Sequence, residues 1–319
     1  MSYGVRLCAV ARHAAIVASL ALFASGCAGG ETVDWKHDGG RWTAERANAW
    51  YAAQPYYIGA NFVPSTASNE LEMWQAETFD PETIDRELGW AAGAGYNAMR
   101  VFLHDMLWKA DAKGFEDRID KYLAIADKHG IRTLFVVFDS CWDPKPVLGK
   151  QQEPAPHRHN SRWVQSPHID VLRDTEHYEA NLKPYVVGIL TRFKDDKRIL
   201  GWDLLNEPGN FNGDYEKGLW TARDKEAAHL KLLGQVFGWA REAAPSQPLT
   251  AGVWQGVGLH DTVTPLQKLM LEESDVVTFH SYDKLPNMKK AVEWLRASGR
   301  PVICTEYMSR GSGSTFETI

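Results

Sequence analysis

The sequence predicts an α/β fold, a TIM-type (β/α)8 barrel with seven strands identifiable in this chain. Three observations carry that prediction. Apolar runs of strand length recur at 56–62, 96–103, 132–138, 198–205, 248–254, 275–280 and 300–305, with helical patterns between them. The runs are continuously apolar, which marks a parallel sheet covered by helices. No dinucleotide-binding fingerprint is present, which favours a barrel over a doubly wound sheet. The 319 residues are 44% hydrophobic and 24% charged, a globular composition that excludes disorder, collagen and a polytopic membrane protein. A formal charge of −6 without a dense Lys/Arg run gives no electrostatic reason to expect nucleic acid.

From the N-terminus, residues 1–26 read as an export signal. Arg6, Arg12 and His13 precede an apolar run from Ala14 to Ala24, too short to span a membrane. The exit Ala24-Ser25-Gly26-Cys27 resembles a bacterial lipobox, which implies lipidation at Cys27 and a membrane association only through that anchor. Ala24 stands where Leu is usual, and a plain cleaved signal peptide is the alternative. Ala28 after the cysteine implies outer-membrane retention, with a periplasmic or extracellular protein otherwise. Residues 27–40 are a spacer and 41–319 the barrel domain, in which no internal repeat appears.

Within the barrel, Pro81-Glu82 fits a helix start. Phe115, Ile119, Tyr122, Leu123 and Ala126 share one helical face, and Gly130 fits the end of that helix. Tyr178, Leu182, Tyr185, Val186, Ile189, Leu190 and Phe193 make a second such face. After the seventh strand, Ser314 and Glu317 have capping-box spacing, and the sequence stops at Ile319. The expectation is a chain truncated before strand eight, with strands one and seven left as unpaired edges. Alternatively, the segment 41–55 fills the gap.

In parallel barrels the reactive residues lie at the C-terminal ends of strands. The fourth strand ends Trp202-Asp203-Leu204-Leu205-Asn206-Glu207-Pro208 and the seventh ends Val302-Ile303-Cys304-Thr305-Glu306-Tyr307. A carboxylate beside an apolar strand costs desolvation energy and normally has a partner or a job. Singly, each glutamate also fits an ion pair. As a pair across a barrel mouth, they can serve as acid and nucleophile for glycoside hydrolysis.

Asn206-Glu207-Pro208 closing strand four and Glu306 closing strand seven resemble the retaining glycoside hydrolases of the 4/7 (β/α)8 superfamily, most closely glycoside hydrolase family 5, the cellulase and mannanase group. The family's strand-two arginine is matched by Arg100, within Asn97-Ala98-Met99-Arg100-Val101-Phe102-Leu103-His104. Its strand-six histidine and tyrosine are matched by His280 and Tyr282. Two positions depart from the pattern. Strand three ends in Asp139, where the family usually has histidine, and the tryptophan that closes strand eight falls beyond Ile319. The first departure fits a divergent subfamily or a sister family, and the second separates the family's activity from that of this chain.

The resemblance and the chemistry imply the same roles. Glu207 is the general acid/base, a role that requires it to hold a proton before reaction. Glu306 is the nucleophile, kept anionic by Arg100 and hydrogen-bonded by Tyr282. Arg100 with His104, and His280 with Tyr282, have the even spacing that puts each pair on one face of its strand. Asn206 faces the sugar 2-hydroxyl, and the carboxyl groups should lie about 5–5.5 Å apart. No cofactor is implied.

Thirteen tryptophans exceed what such a core needs. Trp90, Trp239 and Trp294 fall in helical patterns and read as core. Trp74, Trp108, Trp142, Trp163 and Trp254 fall at or after the C-terminal ends of strands, where indoles can stack on pyranose rings. The substrate-binding set is therefore Arg100, His104, Asn206, His280, Tyr282, Trp74, Trp142, Trp163 and Trp254. The long 139–169 loop forms one wall of the cleft. His157, His159, His168 and His177 lack Cys or carboxylate at ligand spacing and read as hydrogen-bonding residues, not a metal site. Cys141 and Cys304 read as buried thiols, with a disulfide as the alternative.

Two functions remain. One is a retaining glycosidase that cleaves the β-linkages of a polysaccharide or oligosaccharide, as a cellulase, mannanase or xylanase does. The other is a glycan-binding surface lipoprotein without activity, or an inactive fragment of the enzyme.

Overall fold

Among the described residues, seven strands alternate with helices: β1 (Gly59–Asn61), β2 (Ala98–Phe102), β3 (Arg132–Val136), β4 (Ile199–Asp203), β5 (Leu249–Thr250), β6 (Val277–Ser281) and β7 (Val302–Tyr307). The computed structural model describes residues 40–315 except 257, 259–261, 310 and 312. The export segment, Cys27, most of the spacer and the Glu317 half of the capping box lie outside the described residues. Strands β1 to β5 form one parallel sheet in chain order, and β6 pairs in parallel with β7. An isolated bridge from Val253 to Phe279 joins the two. Between β7 and β1 the described residues make no backbone ladder, and the link is a side-chain bond from Asn61 Nδ2 to Glu306 Oε1 at 3.1 Å. Correspondingly, β2 and β6 are buried throughout, while β1 and β7 are half-buried to exposed.

The helices are α1 (Ala44–Ala52), α2 (Glu70–Trp74), α3 (Pro81–Gly93), α4 (Asp105–Lys128), α5 (Ile169–Arg173), α6 (Tyr178–Phe193), α7 (Gly213–Glu216), α8 (Ala222–Glu242), α9 (Pro265–Glu273) and α10 (Leu285–Arg296). Helix α4 buries Phe115, Ile119, Tyr122, Leu123 and Ala126, and α6 buries all seven residues of its predicted face. Each large side chain of this kind contributes roughly 1.5–3 kcal/mol when withdrawn from water. Pro81 sits in the first turn of α3, behind an N-cap bond from Thr83 N to the Asp80 side chain, where its missing N–H costs nothing.

One alternative and one expectation differ from the structure. Residues 41–55 do not supply a strand, because 44–52 form α1. This segment instead braces the N-terminal side of the sheet, with Arg41 donating to Ser274 O and Leu271 O, and Trp42 N to Asp275 Oδ1. Of the three tryptophans read as core, Trp239 is buried, but Trp90 is 66% exposed and Trp294 38% exposed. The Arg86 guanidinium covers the Trp90 ring at 5.4 Å, so a helical pattern containing an indole did not mean a buried one.

Candidate active site

The C-terminal ends of β2, β4, β6 and β7 converge on a cleft of about 820 Å³ lined by Asn61, Phe102, Asp139, Trp142, Trp163, Asn206, Glu207, Tyr282 and Glu306, among others. Past β3 and β4 the chain stays paired through the Asp139–Asn206 bridge, and this lifts Asn206 and Glu207 to the cleft floor. Glu207 itself turns at φ +43°, a left-handed conformation that costs a non-glycine residue of order 1–3 kcal/mol. Its carbonyl is held there by the Ser140 hydroxyl and by Asn210 N at 3.0 Å. Its carboxylate Oε1 lies 2.9 Å from His280 Nδ1. The other oxygen accepts from Asn210 Nδ2 at 2.5 Å and meets the Cys141 thiol at 3.4 Å.

Glu306 has a different environment. Arg100 Nη1 donates to its Oε1 at 2.6 Å, Asn61 Nδ2 donates to the same oxygen, and the Tyr282 hydroxyl donates to Oε2. Burial opposes ionisation, but Arg100, then His280, then the bonds from Tyr282 and Asn61 outweigh it and hold the carboxyl down at about 2. Arg100 is itself 4% exposed. Its remaining donors reach Asp203 Oδ2 at 2.7 and 3.0 Å, Asn206 Oδ1 at 2.7 Å and Asn61 Oδ1 at 3.2 Å. A ring nitrogen of His280 and one oxygen from each glutamate lie within 4.8 Å of one another. Among the described residues, that trio alone has the spacing of a cation site. The guanidinium already neutralising Glu306 argues against a metal there.

The structure brings Glu207, Glu306, Arg100, Asn206, His280 and Tyr282 together, with Arg100 and His280 behind the carboxylates. Trp142 and Trp163 line the cleft. Three predicted ligands are elsewhere. His104 is fully buried; the β2 ladder stops at Phe102, and His104 turns to cap α4, with Nδ1 accepting from Met106 N and Nε2 3.1 Å from Gln165 O. Trp74 is fully buried too, its indole donating to Phe102 O at 2.8 Å and stacked on Phe79. Trp254 donates to Pro208 O at 3.2 Å and lines a separate cavity of about 200 Å³ behind the Glu207 loop, because β5 is only two residues long and the chain leaves it early. Trp108 packs on Tyr185. Cys141 and Cys304 are free thiols.

Several participants went unread in the sequence. Asp203 anchors Arg100, Asn61 supports Glu306, and Asn210 and Cys141 touch Glu207. Asp203 left a signal, a charge inside the apolar run 198–205. Behind Glu207, the buried Lys225 donates to Ser140 O and to Glu216 Oε1 at 2.7 Å, and no spacing rule connects those residues.

The sequence matches the family model for cellulases of glycosyl hydrolase family 5 over residues 90–317, a span that contains all six converging residues. No curated protein matches it. Among solved structures, it is similar to an endo-1,4-β-D-mannanase of Thermotoga petrophila at 15% identity, over 79% of this chain and 78% of that one, with a TM-score of 0.50. It is also similar to an endo-1,4-β-mannanase of Eisenia fetida at 10% identity, over 83% and 89% of the two chains, with a TM-score of 0.50. At those identities the likeness is one of fold, the TIM barrel. The chain belongs to glycosyl hydrolase family 5 and is a glycosidase.

Proposed function

We propose that this glycosidase cleaves β-linkages in a polysaccharide or oligosaccharide with retention of configuration, Glu306 acting as nucleophile and Glu207 as acid/base. The observation that carries this reading is the unequal setting of two neighbouring carboxyl groups. Glu306 is held anionic by Arg100, whereas the described residues bonded to the Glu207 carboxylate are a histidine, an amide and a thiol. Their proximity suits the retaining geometry, in which no water fits between the anomeric carbon and the attacking carboxylate.

In the first half-reaction, a Glu306 oxygen bonds to the anomeric carbon. The bond to the leaving oxygen breaks, and that oxygen takes the proton of Glu207. In the second, the Glu207 carboxylate removes a proton from water as it attacks the same carbon, and the Glu306 ester breaks. Each step inverts the centre, so the net outcome is retention. Trp142 and Trp163 supply apolar walls for the sugar rings, and Asn206 faces the 2-hydroxyl.

The test is reducing-sugar release from a panel of β-glucans, β-mannans and xylans, with Glu306→Ala and Glu207→Ala beside the wild type. Each substitution should remove nearly all hydrolysis, on the order of 10²–10⁴-fold or more. Full activity in either variant overturns the assignment. Retention on a glycan gel without release favours the binding function.

We also infer export and lipidation at Cys27. The support is the basic segment with Arg6 and Arg12, the apolar run 14–24 and the Ala24-Ser25-Gly26-Cys27 exit. Metabolic labelling with an alkyne fatty acid should mark the wild type and not Cys27→Ala; equal labelling of both refutes it.

A further inference from the structure

We propose that Asp139 is a positioning residue, whose carboxylate clamps the Asn206 amide to the indole of Trp163 so that the cleft wall and the end of β4 hold one geometry. The inference rests on the hydrolase reading above and extends it. Asp139 lines the cleft yet is 1% exposed. Its Oδ1 accepts from Asn206 Nδ2 at 2.9 Å and from Cys141 N at 3.0 Å, and its Oδ2 accepts from Trp163 Nε1 at 2.7 Å. The backbone beneath it is tied on both sides. Asp139 exchanges two bonds of 2.9 Å with Ser166, and Ser140 N donates to Asn206 O at 3.2 Å. The Trp163 ring meets Phe102 edge-on at 5.2 Å. A single rigid carboxylate thus joins the 139–169 loop to the residue beside the acid/base.

All three groups facing Asp139 are N–H donors, and the Arg100 bond to Asn206 Oδ1 at 2.7 Å holds that amide with its Nδ2 toward Asp139, which makes the arrangement dependent on the anion. A protonated carboxyl must donate one hydrogen, and here that hydrogen would point at an N–H, so one partner has to leave. An asparagine meets the same conflict in either amide orientation.

Charged and titratable groups surround the clamp: Glu70 on α2, Arg100 on β2, Cys141 after β3, Glu207 after β4 and Lys225 on α8. Burial raises the Asp139 carboxyl, the bonds from Asn206, Trp163 and Cys141 N lower it, the Glu207 charge adds to the rise, and the result is about 6. The clamp is therefore closed above that pH and opens as the pH falls through it.

Two measurements test this. The first follows the fluorescence of Trp163, taken as the wild-type spectrum minus that of Trp163→Phe, and needs no substrate. It should show a transition at about pH 6 that is absent when the same difference is taken in the Asp139→Asn background. The second is kcat/KM on the best glycoside of the panel. The wild type should lose activity as the pH falls through the same midpoint. Asp139→Asn should be low on the order of 100-fold at neutral pH, as misplaced reacting groups are, and should lack that limb. A residue with a merely structural role would change the melting temperature and leave the pH profile alone. A wild-type difference spectrum flat between about pH 5 and 7, or an Asp139→Asn enzyme keeping the wild-type profile, overturns the proposal. Absence of hydrolysis in every protein would count against the hydrolase reading alone, because the fluorescence titration still reports on the clamp.

Discussion

Replacing Arg100 by lysine keeps a positive charge under the cleft but removes the fork that distributes it. The arginine makes five bonds to four residues, Asp203, Asn206, Asn61 and Glu306. Lysine has three donors on one shorter point charge, and the fully buried Asp203 is the partner it should keep. The bond to Glu306, 2.6 Å in the wild type, is then lost. A hydrogen bond to a charged group contributes about 1.5–3 kcal/mol, so attack by Glu306 should slow by roughly 10- to 150-fold.

A second effect has a sign. Holding the Glu306 carboxyl at about 2 instead of its free value favours the anion by about 3 kcal/mol. Arg100 is the largest favourable contributor, set against burial. Without it, burial pushes the carboxyl up into the working range, and the nucleophile protonates as the pH falls. The assay is covalent trapping by a 2-deoxy-2-fluoro glycoside with a good leaving group, read as the mass gain of the intact protein. Such a trap needs no help from Glu207. The ratio of variant to wild-type trapping rate should be low at pH 8 and fall further towards pH 4. The ratio cancels any other group that titrates in both proteins. Trapping within about threefold of wild type, at a ratio independent of pH, would refute the reasoning.

Two other outcomes follow from the geometry. Trp142→Ala should raise KM on polysaccharide, on the order of 10-fold for one lost aromatic contact, while Trp254→Ala, in the separate cavity, should leave KM unchanged; equal effects on KM would mean that the two indoles had been misassigned. His229 is fully buried with Nδ1 2.8 Å from Lys225 O, and burial and then the Lys225 charge hold its imidazole down at about 3. The unfolded chain takes up that proton near its ordinary value of about 6.5. Stability is therefore present above that value and lost as the pH falls, by about 3 kcal/mol between pH 7 and 4. Urea unfolding should show a shallower loss for His229→Gln than for the wild type, and equal slopes would contradict it.

The barrel was legible because its signal is local. Seven apolar runs with helical faces between them need only the sequence to be seen, and the buried faces of α4 and α6 are those the periodicity picked out. Glu207 and Glu306 were legible for a related reason, their place at or just past the end of an apolar strand, with the Asp139–Asn206 bridge carrying the pairing beyond β4 to Glu207. Failures began where the strands stop. His104 kept its even spacing from Arg100 on paper, but β2 ends at Phe102 and the alternation ends with it. Trp74, Trp108 and Trp254 are on the correct end of the barrel and still face away from the cleft.

What the sequence determined by itself is the class of fold and the two carboxylates, because hydrophobic period and strand-end position are properties of neighbours along the chain. Only the tertiary structure decided how those carboxylates differ. Arg100, Asp203, Asn61 and Tyr282 surround Glu306, while His280, Asn210 and Cys141 meet Glu207, and these groups come from separate strands and loops. Electrostatic environment falls off within a few ångströms of space, not of sequence. The two carboxyl groups therefore became unequal only once the chain had closed around them.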